Sequence, residues 1–211
     1  GFGSGQGVKC DHSEHLYGEF WHRAFIVAAD TPTTRYLISC GSNIEASGGV
    51  AGVWRHANAR VRGMKRVQVE PHLSITGACS AEWVPIKPKT DAAFLYALIH
   101  VLLHEIPRGR LDVAFLGRHT ASPYLVGPGG YYLRDRATRK PLIWDSARSA
   151  AVPYDTPDIV EAIEGRFEAD AVEIGPDDDL LGDGRLTGET GLGKLVAHMA
   201  PYSPEWAEPI C

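Results

Sequence analysis

The chain has 211 residues, 44% of them hydrophobic, and a net charge of −5, so it is long enough to bury a sizeable core in one domain or two small ones. The acidic balance argues against nucleic-acid binding, for which a basic face is expected, and no apolar run reaches the roughly 18 residues of a membrane helix. Four widely spaced cysteines form no CxxC pair and no obvious disulfide framework, which leaves the compartment open between periplasm and cytoplasm.

The first 35 residues form a segment of their own in the sequence pattern. The stretch "HLYGEFWHRAFIVAAD" (15–30) predicts a helix that ends near Pro32. The sequence starts at "GFGSGQGVKC" without a methionine and stops at Cys211. Neither end is typical of a finished terminus, so we expect a piece of a longer polypeptide.

Strand and helix patterns alternate between residues 36 and 117. The predicted strands are 36–40, 65–70, 83–88 and 111–117. One helix is predicted over 49–63, and a second begins at "AAFLYALIHVLLHE" with Thr90 or Asp91 as its N-cap. This order predicts an α/β fold, an open and largely parallel sheet flanked by helices, like the dinucleotide-binding half of a Rossmann fold.

The chain after Gly117 has a different character. Residues 131–145 predict a hairpin over a polar turn, and residues 146–190 are acidic and rich in Gly, Pro and Asp. The stretch "GLGKLVAHMAPYSPEW" predicts one more short helix. We therefore expect a helical segment at 1–35, an α/β core at 36–120 and an irregular, loop-rich part at 121–211.

Polar residues follow three of the predicted strands, namely Gly41–Asn43, Glu70–His72 and Pro88–Asp91. Parallel strands bring their carboxyl ends to one edge of a sheet, where ligands bind. A turn at Gly41–Asn43 can offer backbone N–H groups to a phosphate. Glu70 can accept hydrogen bonds from ribose hydroxyls, and Asp91 can accept two from guanine. Each set alone is typical of an ordinary turn, a solvated acid or a helix cap. Their shared edge favours a nucleotide site, although the lack of a GxGxxG disfavours a standard NAD site.

Three stretches, "YLISCGSNIEASGG", "RVQVEPHLSITGACSAEWVPIKPKTDAAFLYAL" and "YSPEWA", resemble the molybdopterin oxidoreductase family, the dimethyl-sulfoxide-reductase-like enzymes. That family has a Gly-x-Asn-Pro turn, an Asp-Pro-Arg strand end and a Pro-Gly-Thr-Asp-x-Ala segment before a helix. This chain departs from the family at four places: Ile44 replaces Pro, Glu70 replaces Asp, His72 replaces Arg, and Lys89 replaces Gly.

The resemblance implies a bis(molybdopterin guanine dinucleotide) cofactor that holds molybdenum or tungsten. By motif, the Gly41–Asn43 turn would meet a phosphate region, Glu70 would hold ribose or guanosine, and Thr90 with Asp91 would bind the guanine end. The full set of cofactor-binding candidates is Gly41, Ser42, Asn43, Ser47, Glu70, Pro71, His72, Pro88, Thr90 and Asp91.

The stretch "SGQGVKCDHSEH" falls where the family supplies a protein ligand to its metal. Cys10 is the candidate ligand, because a thiolate is a soft donor suited to such a metal, with Asp11 and Ser13 as alternatives. His12 is a candidate catalytic residue that would relay protons. The ordinary alternatives are a buried thiol at Cys10 and a hydrogen-bonded side chain at His12.

The resemblance also implies a function and partners. The chain would be a segment of a catalytic subunit that performs two-electron or oxygen-atom transfer on a small substrate, such as a sulfur or arsenic oxyanion. Its partners would be an iron–sulfur electron-transfer subunit of anaerobic respiration and the remainder of its own polypeptide. We expect a [4Fe–4S] cluster only in a preceding segment. The alternative is a non-catalytic nucleotide-binding or interaction module derived from that family.

Three other motifs indicate other functions only weakly. His100 and His104 share a helix face as zinc ligands would, but the spacing differs from HExxH and the surroundings are apolar. The stretch "GETGLGKL" (188–195) nearly matches a P-loop, yet Leu195 replaces the required Ser or Thr and no clear strand precedes it. Asp177–Asp179 lacks the full calcium-loop pattern and favours a solvated loop.

Overall fold

The structure, a computed structural model, describes residues 29–211. The candidate metal ligand Cys10, its alternatives Asp11 and Ser13, the candidate proton relay His12 and most of the predicted helix 15–30 lie outside the described residues. The chain divides into two compact units, with the boundary between Pro88 and Lys89.

The first unit is built on a sheet of three parallel strands, β1 (Tyr36–Cys40), β2 (Lys65–Glu70) and β3 (Glu82–Pro85), in the order β1-β2-β3. Two helices, α1 (Ile44–Ser47) and α2 (Gly49–Val61), connect β1 to β2, and α3 (Ile75–Ala78) connects β2 to β3. The first three predicted strands and their parallel pairing are confirmed. The carboxyl ends of β1 and β2 therefore lie side by side.

Strand β2 is buried on both faces, and the two faces have opposite chemistry. Val67 and Val69 lie on one face, whereas Arg66, Gln68 and Glu70 lie on the other, because side chains alternate along a strand. All five are at least 93% buried. Buried charged and amide groups require hydrogen-bond partners, so the polar face must be organised by its neighbours.

The second unit begins with α4 (Asp91–His100), which continues into a π-helical turn at Val101–Glu105, and with α5 (Val113–His119). Six strands follow: β4 (Leu125–Val126), β5 (Leu133–Arg134), β6 (Leu142–Asp145), β7 (Ala150–Pro153), β8 (Arg166–Ile174) and β9 (Leu180–Thr190). They form an antiparallel sheet in the order β4-β9-β8-β5 and a separate antiparallel pair β6-β7. The unit ends with α6 (Gly191–Met199) and α7 (Pro204–Ala207).

The prediction of a strand at 111–117 is wrong, because these residues start helix α5. Asp112 is its N-cap, and its carboxylate accepts a hydrogen bond of 2.9 Å from the Phe115 N–H. A short apolar run cannot by its periodicity alone separate a buried strand from a helix. In the described residues the parallel sheet is thus limited to three strands, and a largely parallel sheet is not what the fold contains.

The prediction for 121–211, a loop-rich part with a hairpin and a short helix, holds only in part: the short helix forms as α6, but the strands are longer than expected. Strands β8 and β9, with 9 and 11 residues, form a long hairpin across 166–190. Its turn contains Asp177 and Asp178 at φ +57° and +62°, so the acidic run that resembled a calcium loop forms this turn. The predicted hairpin at 131–145 is half right: the chain does turn back between Asp135 and Lys140, but β5 and β6 belong to different sheets.

Two apolar clusters stabilise the second unit. One gathers side chains of its strands, including Leu125, Leu133 and Leu142, and Trp144 stacks on Phe167 beside it with ring centroids 4.5 Å apart. The other joins the helices through Leu103, Leu192 and Met199. None of the helices within residues 29–211 has the length and hydropathy that a bilayer crossing requires.

Candidate functional site

A turn at Gly41 follows β1, and its backbone conformation is unfavourable for a residue that carries a side chain. Gly41 has φ +64°, and its N–H donates to the Val69 carbonyl at 2.9 Å. Apart from the two neighbours of Gly41 in the chain, no described residue has an atom within 4 Å of the place that a Cβ would take. Within residues 29–211, the N–H groups of Ser42 and Asn43 have no hydrogen-bond acceptor. The turn therefore presents two backbone donors that no residue among 29–211 occupies, next to a glycine without close neighbours in that range.

Asn43 precedes α1, but its side chain does not cap that helix. Its Oδ1 instead accepts a hydrogen bond of 2.9 Å from the Thr76 hydroxyl, and that hydroxyl oxygen accepts one of 3.1 Å from the Glu45 N–H. The Ser47 hydroxyl donates to the Asn43 carbonyl at 2.9 Å. Since α1 has only four residues, the backbone turn and not a helix dipole is the chemical feature of this edge.

Gln68 connects this turn to the end of β2. Its Nε2 donates to the Ser42 carbonyl at 3.1 Å and to Glu70 Oε2 at 3.0 Å. Gly41–Asn43 and Glu70 are therefore brought together at one edge of the sheet. The sequence analysis did not single out Gln68. Its position between two valines in a predicted strand was a usable signal, because a buried amide needs hydrogen-bond partners.

Glu70 is buried, with 4% of the residue exposed, and each of its carboxylate oxygens accepts a hydrogen bond inside the unit. Oε1 accepts a hydrogen bond of 2.8 Å from the Ser74 N–H, and Oε2 accepts one from Gln68 Nε2. Burial raises the pKa of Glu70, but these hydrogen bonds outweigh it and leave the pKa below its ordinary value. Glu70 thus holds the loop after β2, in which Pro71 and His72 are exposed, and its contact with a ribose stays a prediction.

A buried ion pair lies beneath the same edge. Arg66 Nη2 is 2.8 Å from Glu45 Oε1, with side-chain exposures of 0% and 8%. Arg66 also donates to Ser80 Oγ and to the Thr76 carbonyl, both at 2.9 Å. Burial raises the pKa of Glu45, whereas the neighbouring Thr76 side chain and the hydrogen bond and positive charge of Arg66 lower it, with a net lowering. The sequence analysis also did not single out Arg66.

An open cavity of about 450 Å³ borders the turn on the side of β1 and α2. Its lining includes Ser39, Ser42, Ile44, Arg55 and His56. Burial and the nearby positive charge of Arg66 lower the pKa of His56, so the imidazole is neutral at pH 7. The cavity is large enough for a small ligand group next to the backbone donors of the turn.

The other candidates lie at or beyond the end of this unit. Pro88 is its last residue and is exposed. Thr90 and Asp91 belong to the second unit, where Thr90 is the N-cap of α4 and Asp91 is exposed in its first turn. The thiol of Cys211 lies 3.7 Å from the Thr90 carbonyl. Their binding of guanine stays a prediction.

The histidine pair of the second unit has structural partners. A His100 ring nitrogen lies 2.8 Å from the Met199 carbonyl, and His104 Nε2 lies 3.0 Å from the Val196 carbonyl. The two rings stack with centroids 4.5 Å apart. Across residues 29–211, no cluster of three or more His, Cys, Asp or Glu side chains is arranged to hold a metal.

The P-loop-like stretch needs one correction. A strand does precede it, because β9 runs to Thr190, but the turn into α6 has no open phosphate cradle. The N–H groups of Gly191, Leu192 and Gly193 donate to the Tyr124 carbonyl, the Ser122 carbonyl and Thr190 Oγ1. The backbone donors that a P-loop offers to phosphate are therefore already paired.

No family model matches the chain, but several characterised proteins are similar to it. Thiosulfate reductase molybdopterin-containing subunit PhsA of Salmonella typhimurium is 36% identical over 95 residues, 45% of this chain. A sulfite dehydrogenase subunit of Allochromatium vinosum is 29% identical over 163 residues, 71% of this chain. Dimethyl sulfoxide reductase DmsA of Haemophilus influenzae is 31% identical over 111 residues, 50% of this chain. The matched segments span 12%, 15% and 13% of these three relatives.

Proposed function

Because this chain belongs to the molybdopterin oxidoreductase family, we propose that the Gly41–Asn43 turn holds the phosphate region of a molybdopterin guanine dinucleotide. The observation that carries the proposal is the pair of backbone N–H groups, at Ser42 and Asn43, beside open space at a left-handed glycine. Phosphate oxygens are strong acceptors and bind such groups in turns. The absence of a Cβ at Gly41 lets a ligand approach the backbone closely.

The remaining roles are proposed from the same family. Cys10 would ligate the molybdenum or tungsten, His12 would relay protons, and Thr90 with Asp91 would bind the guanine end. When bound, this cofactor supplies two-electron or oxygen-atom transfer chemistry. The named relatives act on thiosulfate, sulfite and dimethyl sulfoxide, so we propose a small oxidised sulfur compound as substrate. An iron–sulfur subunit and the rest of the catalytic polypeptide, with a [4Fe–4S] cluster in a preceding segment, complete the proposal.

The test begins with the protein purified from a host that makes the cofactor. We expect molybdenum or tungsten by elemental analysis, and a guanine nucleotide after acid release. Guanosine diphosphate, titrated by calorimetry, tests the nucleotide site directly. A protein that binds guanosine diphosphate but carries neither metal nor pterin would support the non-catalytic nucleotide-binding module instead.

The Gly41→Ala variant locates the site. It strains a left-handed position and places a methyl group where the ligand would approach, so we expect the dissociation constant for guanosine diphosphate to rise about tenfold. Gly63→Ala is the matched control, because Gly63 also has positive φ (+100°) and open space around it, but precedes β2 at the other end of the sheet. Equal weakening by both variants, or by neither, would contradict the assignment of the turn.

A further inference from the structure

The side chain of Gln68 joins the loops that follow β1 and β2. Gln68 is fully buried at the centre of β2, and its register partner on β1 is Ser39. One amide nitrogen donates both to the Ser42 carbonyl and to Glu70 Oε2. Those acceptors belong to two different candidate segments of the proposed site. A single side chain therefore fixes the distance between them.

The chemistry of the neighbours determines how the amide is oriented. The Ser42 carbonyl and the ionised Glu70 carboxylate can only accept hydrogen bonds. Rotating the amide by 180° would bring the Gln68 oxygen against both of them and break two hydrogen bonds. In the observed orientation, Oε1 is buried and has no partner among residues 29–211. An unpaired buried acceptor is unfavourable, so the two donated bonds are what this glutamine contributes.

The geometry points to Gln68 as a positioning residue that holds the Gly41–Asn43 turn against the Glu70–Ser74 loop, and this role rests on the proposed function of that turn. Gln68 does not touch the ligand in this assignment. It fixes the Ser42 carbonyl, and thereby the direction of the Asn43 N–H, which belongs to the same planar peptide group. Through Glu70 it also fixes the Ser74 N–H at the start of α3.

The Gln68→Met variant tests the role, since methionine has a similar length but no donor. Hydrogen exchange of single amides, followed by NMR, should accelerate at least about tenfold at Gly41 and Ser74. It should change less than about twofold at Lys65, whose N–H donates to the Arg35 carbonyl at the other end of the sheet. Equal acceleration at all three amides, or none, would overturn the positioning role.

The ionisation of Glu70 separates positioning from simple loss of stability. Removing a donor from the carboxylate disfavours its ionised form, so the side-chain carboxyl carbon of Glu70 should titrate at higher pH in Gln68→Met than in the wild type. Val67→Ala is the control, because it removes core volume on the opposite face of the same strand. It should accelerate exchange throughout the unit and leave the Glu70 titration unchanged. An unchanged Glu70 titration in Gln68→Met would refute the role.

Guanosine diphosphate binding then links the positioning to the ligand. We expect the dissociation constant to rise at least about fivefold in Gln68→Met and less than twofold in Val67→Ala under conditions where both are folded. A wild-type protein that binds no guanosine diphosphate would reject the proposed function, while the exchange and titration results would still decide whether Gln68 positions the turn. Binding that Gln68→Met leaves unchanged would overturn the link between the two.

Discussion

Two buried charged side chains, Arg66 of the first unit and Glu173 of the second, are held by different kinds of partner. In the first unit, side chains bond to one another: Arg66 pairs with Glu45, and Gln68 bonds to Glu70. In the second unit, the buried Glu173 carboxylate bonds only to backbone, accepting 3.0 Å hydrogen bonds from the N–H groups of Gly129 and Tyr131. The first arrangement joins polar side chains to one another beneath the edge where β1 and β2 end. The second organises a single loop.

This difference has an energetic consequence. Removing one member of a coupled pair leaves a buried charge without compensation, which is among the costliest defects in a protein. Removing a carboxylate that serves a loop leaves neutral N–H groups, whose desolvation costs less. The Arg66–Glu45 pair should therefore be more sensitive than Glu173 to a single polar substitution.

Arg66→Met should give the largest effect. It leaves the Glu45 carboxylate buried without its cation, so we expect the free energy of unfolding of the first unit to fall by about 3–5 kcal/mol. Hydrogen exchange of the Val67 and Val69 amides in increasing denaturant measures that unit alone. The double variant Arg66→Met/Glu45→Met should recover much of the loss.

A surface pair supplies the control for that prediction. Arg185 and Glu168 form an ion pair with side-chain exposures of 79% and 57%. Arg185→Met should therefore cost less than about 1 kcal/mol. If Arg66→Met cost no more than Arg185→Met, the coupling assigned to the first unit would be wrong.

Glu173→Leu should rank second. The substitution leaves the N–H groups of Gly129 and Tyr131 without their acceptor in a site that is 2% exposed, and we expect a loss of about 2–3 kcal/mol from the second unit. Glu173→Gln retains one carbonyl acceptor and should lose about half as much. Hydrogen exchange of the Ala171 amide in increasing denaturant measures these losses of stability. A loss larger than that of Arg66→Met would reverse the comparison.

The first unit was more predictable from sequence than the second. Its strands are short apolar runs interrupted by Gly63 and Pro71, and such punctuation is a strong local signal. The β8–β9 hairpin was missed because its many charged residues resembled a loop. Nevertheless Phe167, Ala169 and Ala171 alternate with acidic residues, and this period of two predicts a half-exposed strand.

The sequence predicted the turn of the candidate site but not the side chains that hold this turn in place. The Gly41–Asn43 turn is local, since a glycine and an asparagine after an apolar run indicate it directly. Gln68 meets Ser42 across 26 positions, and Thr76 meets Asn43 across 33. Such contacts depend on strand register and on how α3 packs against the sheet, and a single sequence specifies neither.

Acid should weaken the first unit through Glu45 and Glu70. Both have folded-state pKa values below the ordinary 4.5, so the unfolded chain takes up their protons first as the pH falls. Their contribution to stability is complete above about pH 5 and is lost as the pH drops through the folded-state pKa values. Glu70→Gln removes one of these groups and should flatten the dependence of unfolding free energy on pH between about 6 and 3. An unchanged slope would contradict the lowered pKa of Glu70.

A small effect is also expected for the histidine pair of the second unit. His104→Ala removes one exposed hydrogen bond to the Val196 carbonyl and one ring contact, so we expect a loss of about 0.5–1.5 kcal/mol. Because the described residues hold no group of three or more His, Cys, Asp or Glu side chains placed to bind a metal, micromolar Zn²⁺ should leave the thermal midpoint of the wild type unchanged. Ligand binding to the folded state raises that midpoint. A rise on adding Zn²⁺ that His104→Ala abolishes would instead identify the pair as metal ligands and give the second unit a binding site of its own.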